Sequence, residues 1–122
     1  MTEKPEYSGK RFQASLFEEI GQKSPDALLV QALDGKILLV NQAASHLFGL
    51  KPEDLIGRLI TEFMAPDRAE AWAHDLKMLV SGDWRRIESV IEAADGRRVP
   101  VHVHGFELSP IAGIPAIALH IS

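Results

Sequence analysis

The sequence predicts an α+β domain in which two strands come first, helices fill the middle and three strands close the chain. Two apolar runs, 27–33 and 36–40, are joined at Asp34-Gly35, a pair typical of two-residue β-hairpins. The stretch 41–80 instead has apolar residues at helical spacing, interrupted by Gly and Pro. From residue 84 onward, alternating patterns and a second Asp-Gly pair predict antiparallel strands. Helices inserted between two groups of strands indicate one sheet with its helices on one face.

Composition restricts the class of protein. The 122 residues have room for one domain with a core of its own. The absence of cysteine excludes disulfides, thiolate metal sites and a cysteine nucleophile. No apolar run is long enough to span a membrane, and the polar stretch Met1–Lys10 does not form a signal peptide. The net charge of −4 argues against direct binding of nucleic acid. We expect a cytoplasmic domain without membrane contact of its own, with a soluble piece of a membrane receptor as the alternative.

Residues 1–23 are predicted to precede the domain proper, which spans 24–122. The first eleven residues show no periodicity and indicate a flexible lead-in. A short amphipathic flanking helix follows, which Gly21 ends. Such a helix needs a surface to cover. Its apolar face, the predicted dimer interface, consists of Phe12, Leu16, Phe17 and Ile20.

Two short helices are predicted directly after the second strand. Asn41 can cap the first helix, because its side-chain oxygen accepts an orphan backbone N–H, and Gly49 ends this helix. Pro52 suits the first turn of the second helix, which Gly57 ends. A strand followed by two very short helices with glycine between them is an unusual beginning for a compact domain.

A longer helix and three strands complete the chain. A short helix or turn is expected over 59–64, and Pro66 begins the longest helix, which Ser81-Gly82 ends near Val80. The apolar face of this helix must face the core. We expect a pocket between this helix and the sheet on which it packs. Strands are predicted over 84–93, 97–108 and 114–121, with 109–113 as a loop.

Six segments carry a resemblance to one family when they are taken in order and with their spacing. They are SPDALLV from Ser24, LDGKI from Leu33, the helix pair Asn41–Gly57, MAPDR from Met64, ADGRRVPV from Ala94 and LHIS from Leu119. Together they resemble the PAS domain, a sensory module of signalling proteins. The resemblance implies a five-stranded antiparallel sheet, with short helices and one longer connecting helix packed on one face.

The resemblance also implies a ligand pocket between the sheet and the long helix. PAS domains hold small molecules there, and the residues expected to line an apolar cavity supply shape and apolar contact. They are Val40, Leu47, Phe48, Leu55, Ile56, Trp72, Leu76, Val101, Val103, Ile117 and Leu119. Many family members close with an acidic residue that couples sheet to output, and here that position is His120. Because imidazole changes charge near neutral pH, coupling through His120 is expected to differ or to respond to pH.

The expected function is regulatory binding rather than catalysis. There is no glycine-rich phosphate loop, no G-x-S-x-G and no H-E-x-x-H motif. By the resemblance, the domain belongs to a larger signalling protein, such as a sensor histidine kinase, and is covalently linked to an output domain. The alternative is a ligand-free module that forms a homodimer through its flanking helix and outer sheet face.

Histidine and tryptophan raise three cofactor alternatives. His102, His104 and His120 could bind zinc, but alternating valines on the same strand predict that these imidazoles face outward. Haem-binding PAS sensors place a histidine on the long helix; here His74 is one turn late, which favours a surface position. Trp72 could face a flavin, but tryptophan at leucine spacing favours core. We therefore expect no metal and no cofactor, with haem or flavin as the remaining alternative.

Overall fold

The computed structural model describes residues 25–82 and 86–122. Within them the elements are β1 (Ala27–Ala32), β2 (Ile37–Val40), α1 (Gln42–Phe48), α2 (Pro52–Leu55), a 3₁₀ helix (Ile60–Phe63), α3 (Pro66–Ser81), β3 (Ile87–Glu92), β4 (Arg98–Ile111) and β5 (Ile114–Ile121). The predicted flanking helix with Phe12, Leu16, Phe17 and Ile20 lies outside the described residues, as does Trp84.

One antiparallel sheet holds the five strands of the described segments, in the order β2-β1-β5-β4-β3. The last strand therefore lies in the centre, between the first strand and the β3–β4 hairpin. Neighbouring residues such as Leu29, Leu119 and Gly105 form cross-strand rows on one face, and this face carries the helices. The α+β prediction of a five-stranded sheet with helices on one face is confirmed.

The core lies between this sheet face and the helices. It is one cluster of buried apolar side chains drawn from all five strands and all four helices of the described chain. Phe48 and Phe63 meet there with ring centroids 5.2 Å apart. Leu79 of α3 packs over Gly105 so closely that a Cβ at Gly105 would lie 3.4 Å from the Cβ of Leu79. Glycine at this position therefore brings α3 close to the centre of the sheet.

Local signals set the helix ends as expected. The Asn41 side chain accepts a hydrogen bond from the backbone N–H of Ala44, which caps α1, and Gly49 ends α1 with φ 79°. Gly82 ends α3 in the same left-handed conformation, with φ 87°. Only glycine adopts this backbone conformation without steric cost, so both helices stop where the sequence predicts.

Two expectations were wrong. The loop predicted over 109–113 is instead the end of β4, which runs to Ile111 and turns at Ala112-Gly113. These two residues have φ values of 53° and 80°, as a tight hairpin turn requires, and Pro110 is tolerated because this part of β4 pairs with β5 alone. Ile56, expected to be buried, is 47% exposed because α2 ends at Leu55 and the backbone turns outward there.

Candidate ligand site

Most residues expected to line a cavity belong to the packed core. Phe48, Leu55, Trp72, Leu76, Val101, Val103, Ile117 and Leu119 are buried in the single apolar cluster, and Val40 and Leu47 pack against it half-buried. Ile56 is exposed and does not join them. The structure therefore brings ten of the eleven residues together, but mainly as side chains that fill the space under α3.

Two polar atoms in this interior lack hydrogen-bond partners among the described residues. Gln31 is fully buried; its Nε2 donates to the Ala32 carbonyl at 2.9 Å, which leaves Oε1 without a donor. The indole Nε1 of Trp72 is likewise buried and unpaired. An unpaired buried polar atom costs free energy, so each atom is a potential contact for a small polar molecule. Gln31 was missed from the sequence, although a glutamine inside the apolar run 27–33 is a visible signal.

An open pocket lies at one end of the sheet, under α1. Ser122 exchanges two backbone hydrogen bonds with His102, of 2.8 and 2.9 Å, whereas β4 extends back to Arg98. Residues two positions apart in a strand direct their backbone N–H and C=O groups to the same side. Those of His102 face Ser122 in β5, so the backbone of Pro100 faces the space beyond the end of β5. Pro100 has no N–H to satisfy there, which explains how proline fits within β4.

We call this space the α1 pocket, and its volume is about 350 Å³. Its apolar walls come from α1 on one side and from the sheet on the other, while polar groups of three residues complete the lining. The apolar part includes Ala27, Ala43, Leu47, Val99, Val101 and Ile121, and the polar part is Asp26, His46 and Arg97. Of the residues predicted to bind a ligand, Leu47 and Val101 line the pocket.

Hydrogen bonds hold both sides of the α1 pocket in place. The guanidinium of Arg97 donates to the backbone carbonyl of His46, at the end of α1, over 3.0 Å. The same guanidinium donates to Asp95 over 2.8 Å, and this bond holds the pKa of the Asp95 carboxyl below its usual range. On the opposite side, Asn41 donates to the carbonyl of Asp26 and accepts from the backbone N–H of Leu28.

The histidines of the sheet lie on its outer face and are half-buried. His120 Nε2 lies 2.9 Å from an Asp26 carboxylate oxygen, and the rings of His104 and His120 meet edge to face at 5.7 Å. His102 lies 3.6 Å from Glu88 instead. Across residues 25–82 and 86–122, no three His, Cys, Asp or Glu side chains are grouped so that they could hold a metal ion. His74 is exposed on α3, so its position does not support haem ligation in the interior.

A second pocket, of about 380 Å³, lies where the first turn of α3 meets the β3–β4 ladder. We call it the α3 pocket. It shares Pro100, Val101 and Ser122 with the α1 pocket, so the two spaces adjoin. Its polar lining residues are Arg68, Glu88, Ser89, His102 and Ser122. Arg68 was not predicted as a ligand-binding residue, because no local motif links it to Ser89, which lies 21 positions further along the chain.

Comparisons with known proteins agree with this architecture. A family model described as "PAS domain" matches residues 25–112. The PAS domain of an HTR-like protein from Haloarcula marismortui is 27% identical, with a TM-score of 0.73 over 97% of this chain and 98% of that one. A PAS domain from Desulfitobacterium hafniense superimposes with a TM-score of 0.75 at 17% identity, over 86% of this chain and 98% of that one.

A third similar structure is a complex with a small molecule. It is the PAS domain, in complex with ethanol, of a LuxR-family transcriptional regulator from Burkholderia thailandensis. It is 20% identical, with a TM-score of 0.69 over 85% of this chain and 93% of that one. No curated protein matches the sequence. None of the helices in the described part of the chain is long and apolar enough to cross a membrane.

Proposed function

The chain belongs to the PAS domain family, and we propose that it is the sensory module of a larger cytoplasmic signalling protein, binding a small apolar ligand in the α1 pocket. Similar solved domains come from sensor histidine kinases, which supports a role in signal transduction. The isolated domain then acts by binding rather than by catalysis, and a kinase or other output domain responds to it.

The α1 pocket is the observation that carries this proposal. Its volume falls within the roughly 300–1,000 Å³ typical of small-molecule sites. Its walls are aliphatic, and its charged residues are already engaged: Arg97 with Asp95, and Asp26 with His120. A neutral, mainly apolar molecule is therefore the best match, because a charged one would find no free counter-ion in this pocket.

The connections of α1 explain how occupancy could become a signal. The helix is tied to β1 through Asn41 and to the β3–β4 hairpin through Arg97. A ligand that displaces α1 must therefore move or break one of these contacts. We propose that the ligand favours one arrangement of helix and sheet, which is a shift of population. His120 would transmit this change of arrangement toward the output domain, since it bonds Asp26 beside the pocket and lies at the end of β5.

Filling the α1 pocket tests the proposal. Ala43 is half-buried and lines the pocket, so Ala43→Leu should occupy it with three extra carbon atoms. Native mass spectrometry of protein purified from cells should find a bound small molecule in the wild type and at least about tenfold less of it in this variant, because the ligand loses the space it needs. Equal loading of both proteins would refute the assignment of the site.

Ala69→Leu is the matched control. Ala69 is also a half-buried helical alanine packed against the core, but it does not line the α1 pocket. This variant should retain the ligand. If Ala69→Leu loses the ligand as fully as Ala43→Leu does, the loss reflects general damage to the core, and the α1 pocket is not the site.

The outer face of the sheet supports a second candidate function, self-association. Val30, Ala32 and Ala116 are apolar residues of the sheet that do not belong to the core cluster. Val30 and Ala116 occupy even positions of β1 and β5, whose odd positions face the core. Phe106 and Leu108 lie beside them and are exposed. We propose that the apolar face of the predicted helix, Phe12, Leu16, Phe17 and Ile20, covers this surface in a homodimer.

A further inference from the structure

We propose that the α3 pocket binds a small organic anion, whose carboxylate is held by Arg68 and Ser89. This site is distinct from the α1 pocket and takes a different class of ligand. The two meet at Pro100, Val101 and Ser122, but their titratable lining residues differ.

The first argument is a free cation. Arg68 lies in the first turn of α3, is exposed, and forms no ion pair with any residue in the described segments. Arg58, Arg97 and Arg98, by contrast, each pair with a carboxylate within 3.0 Å. A guanidinium presents parallel N–H groups that match the two oxygens of a carboxylate. Arg68 is thus available for a ligand, where these other arginines are neutralised by the protein itself.

The second argument is an unpaired hydroxyl. Ser89 is 5% exposed, lines the α3 pocket, and occupies a core-facing position of β3 between Ile87 and Ile91. Its side chain makes no hydrogen bond to the part of the chain that the structure describes. In that part of the chain only Gln31 Oε1 and Trp72 Nε1 are fully buried without a partner, so the Ser89 hydroxyl remains open to the pocket and can bond a ligand there.

The rest of the lining selects the ligand class. Glu88 and His102 occupy outer-face positions of β3 and β4, and their side chains lie 3.6 Å apart on that face. On the core-facing side Arg68 supplies the positive charge, and a single guanidinium suits a monoanion. Val101, which pairs with Ser89 across the strands, adds an apolar wall. A monocarboxylate with an apolar body meets all of these groups.

Benzoate is a suitable probe, with benzamide as its uncharged counterpart. In ¹H–¹⁵N NMR spectra of the whole chain, benzoate should shift the amides of Arg68, Ser89 and Val101 in a saturable way, with affinity in the millimolar range expected for so small a molecule. Benzamide should bind at least about tenfold more weakly, because it lacks the charge that Arg68 recognises. Inorganic phosphate should likewise compete poorly.

Two variants and a control localise the effect. Arg68→Gln and Ser89→Ala should each weaken benzoate binding, the first by about tenfold or more. Arg86→Gln removes an exposed arginine that does not line the pocket, and it should leave binding unchanged. Arg68 is exposed, so its replacement should not affect folding.

Several results would overturn the inference. No saturable shift with benzoate, or equal weakening by Arg86→Gln, would remove the site. Phosphate binding as tight as benzoate would refute the ligand class. Shifts confined to Ala43 and Leu47 would place the probe in the α1 pocket, which would refute the α3 site.

Discussion

At the scale of single residues, Asn41 connects more of the molecule than its role as a helix cap suggests. Its Oδ1 accepts from the backbone N–H groups of Ala44 and Leu28, each over 2.9 Å, and its Nδ2 donates to the carbonyl of Asp26 over 3.0 Å. The cap was predicted from sequence because capping is local. The two bonds to β1 span 13 and 15 residues, so only the folded chain reveals them.

Replacing Asn41 should therefore cost more than losing a cap. Asn41→Ala leaves buried backbone groups of both α1 and β1 unpaired, and we expect a loss of about 3 kcal/mol in the free energy of unfolding. Asn41→Asp keeps the acceptor but removes the donor to Asp26, so it should lose less. Urea denaturation followed by circular dichroism measures both.

Gln42→Ala is the neighbouring control. Gln42 is exposed and its side chain forms a hydrogen bond with His46 along α1, so its loss should stay within about 0.5 kcal/mol. A similar cost for Asn41→Ala would mean that the bonds to β1 contribute nothing.

At the scale of elements, the β3–β4 hairpin docks onto the end of α1. The N–H of Ala94 donates to the carbonyl of Phe48 over 2.9 Å, and the Arg97 guanidinium reaches the carbonyl of His46. Gly49 lies at this junction with φ 79°, a backbone conformation that other residues adopt only with strain. The hairpin itself was predicted from Asp95-Gly96, but its partner helix was not, because the contact joins residues about 50 positions apart.

Removing the Arg97 side chain should loosen this contact. We expect Arg97→Ala to cost about 1 kcal/mol in the free energy of unfolding, a modest value because the ion pair with Asp95 is half-exposed. The pKa of Asp95, measured by NMR titration, should rise toward that of a free aspartate, since the side-chain bond to Arg97 is the main cause of its lowering.

The adjacent Arg98 provides the comparison. Arg98 pairs with Glu92 across the strands over 3.0 Å, and its side chain is 63% exposed. Arg98→Ala should change stability little and leave the pKa of Asp95 where it is. Equal effects of the two substitutions would show that docking onto α1 adds nothing to a surface ion pair.

At the scale of the whole molecule, the sheet has one face covered by helices and one face that none of the described helices covers. The exposed apolar side chains of Phe106 and Leu108 on that outer face are the basis for the proposed homodimer. Phe17→Glu puts a charge on the predicted apolar face, so light scattering should show a dimer for the wild type and a monomer for this variant.

Glu18→Gln changes the polar side of the same predicted helix and should remain dimeric. A monomeric wild type, or a dimer that survives Phe17→Glu, would exclude self-association through this surface. Neither result would bear on the ligand proposals for the α1 pocket and the α3 pocket, because these two pockets are not lined by Val30, Ala116 or Phe106.

The sequence by itself determined the kinds of element and their order, because hydrophobic periodicity, caps and Asp-Gly turns act over a few residues. It also determined the family, through motifs that each occupy a short segment. Tertiary structure alone decided that β5 lies at the centre of the sheet and that Arg68 meets Ser89 in one pocket. Pockets are spaces between distant segments, and their shape depends on where strands end relative to one another, which no local pattern encodes.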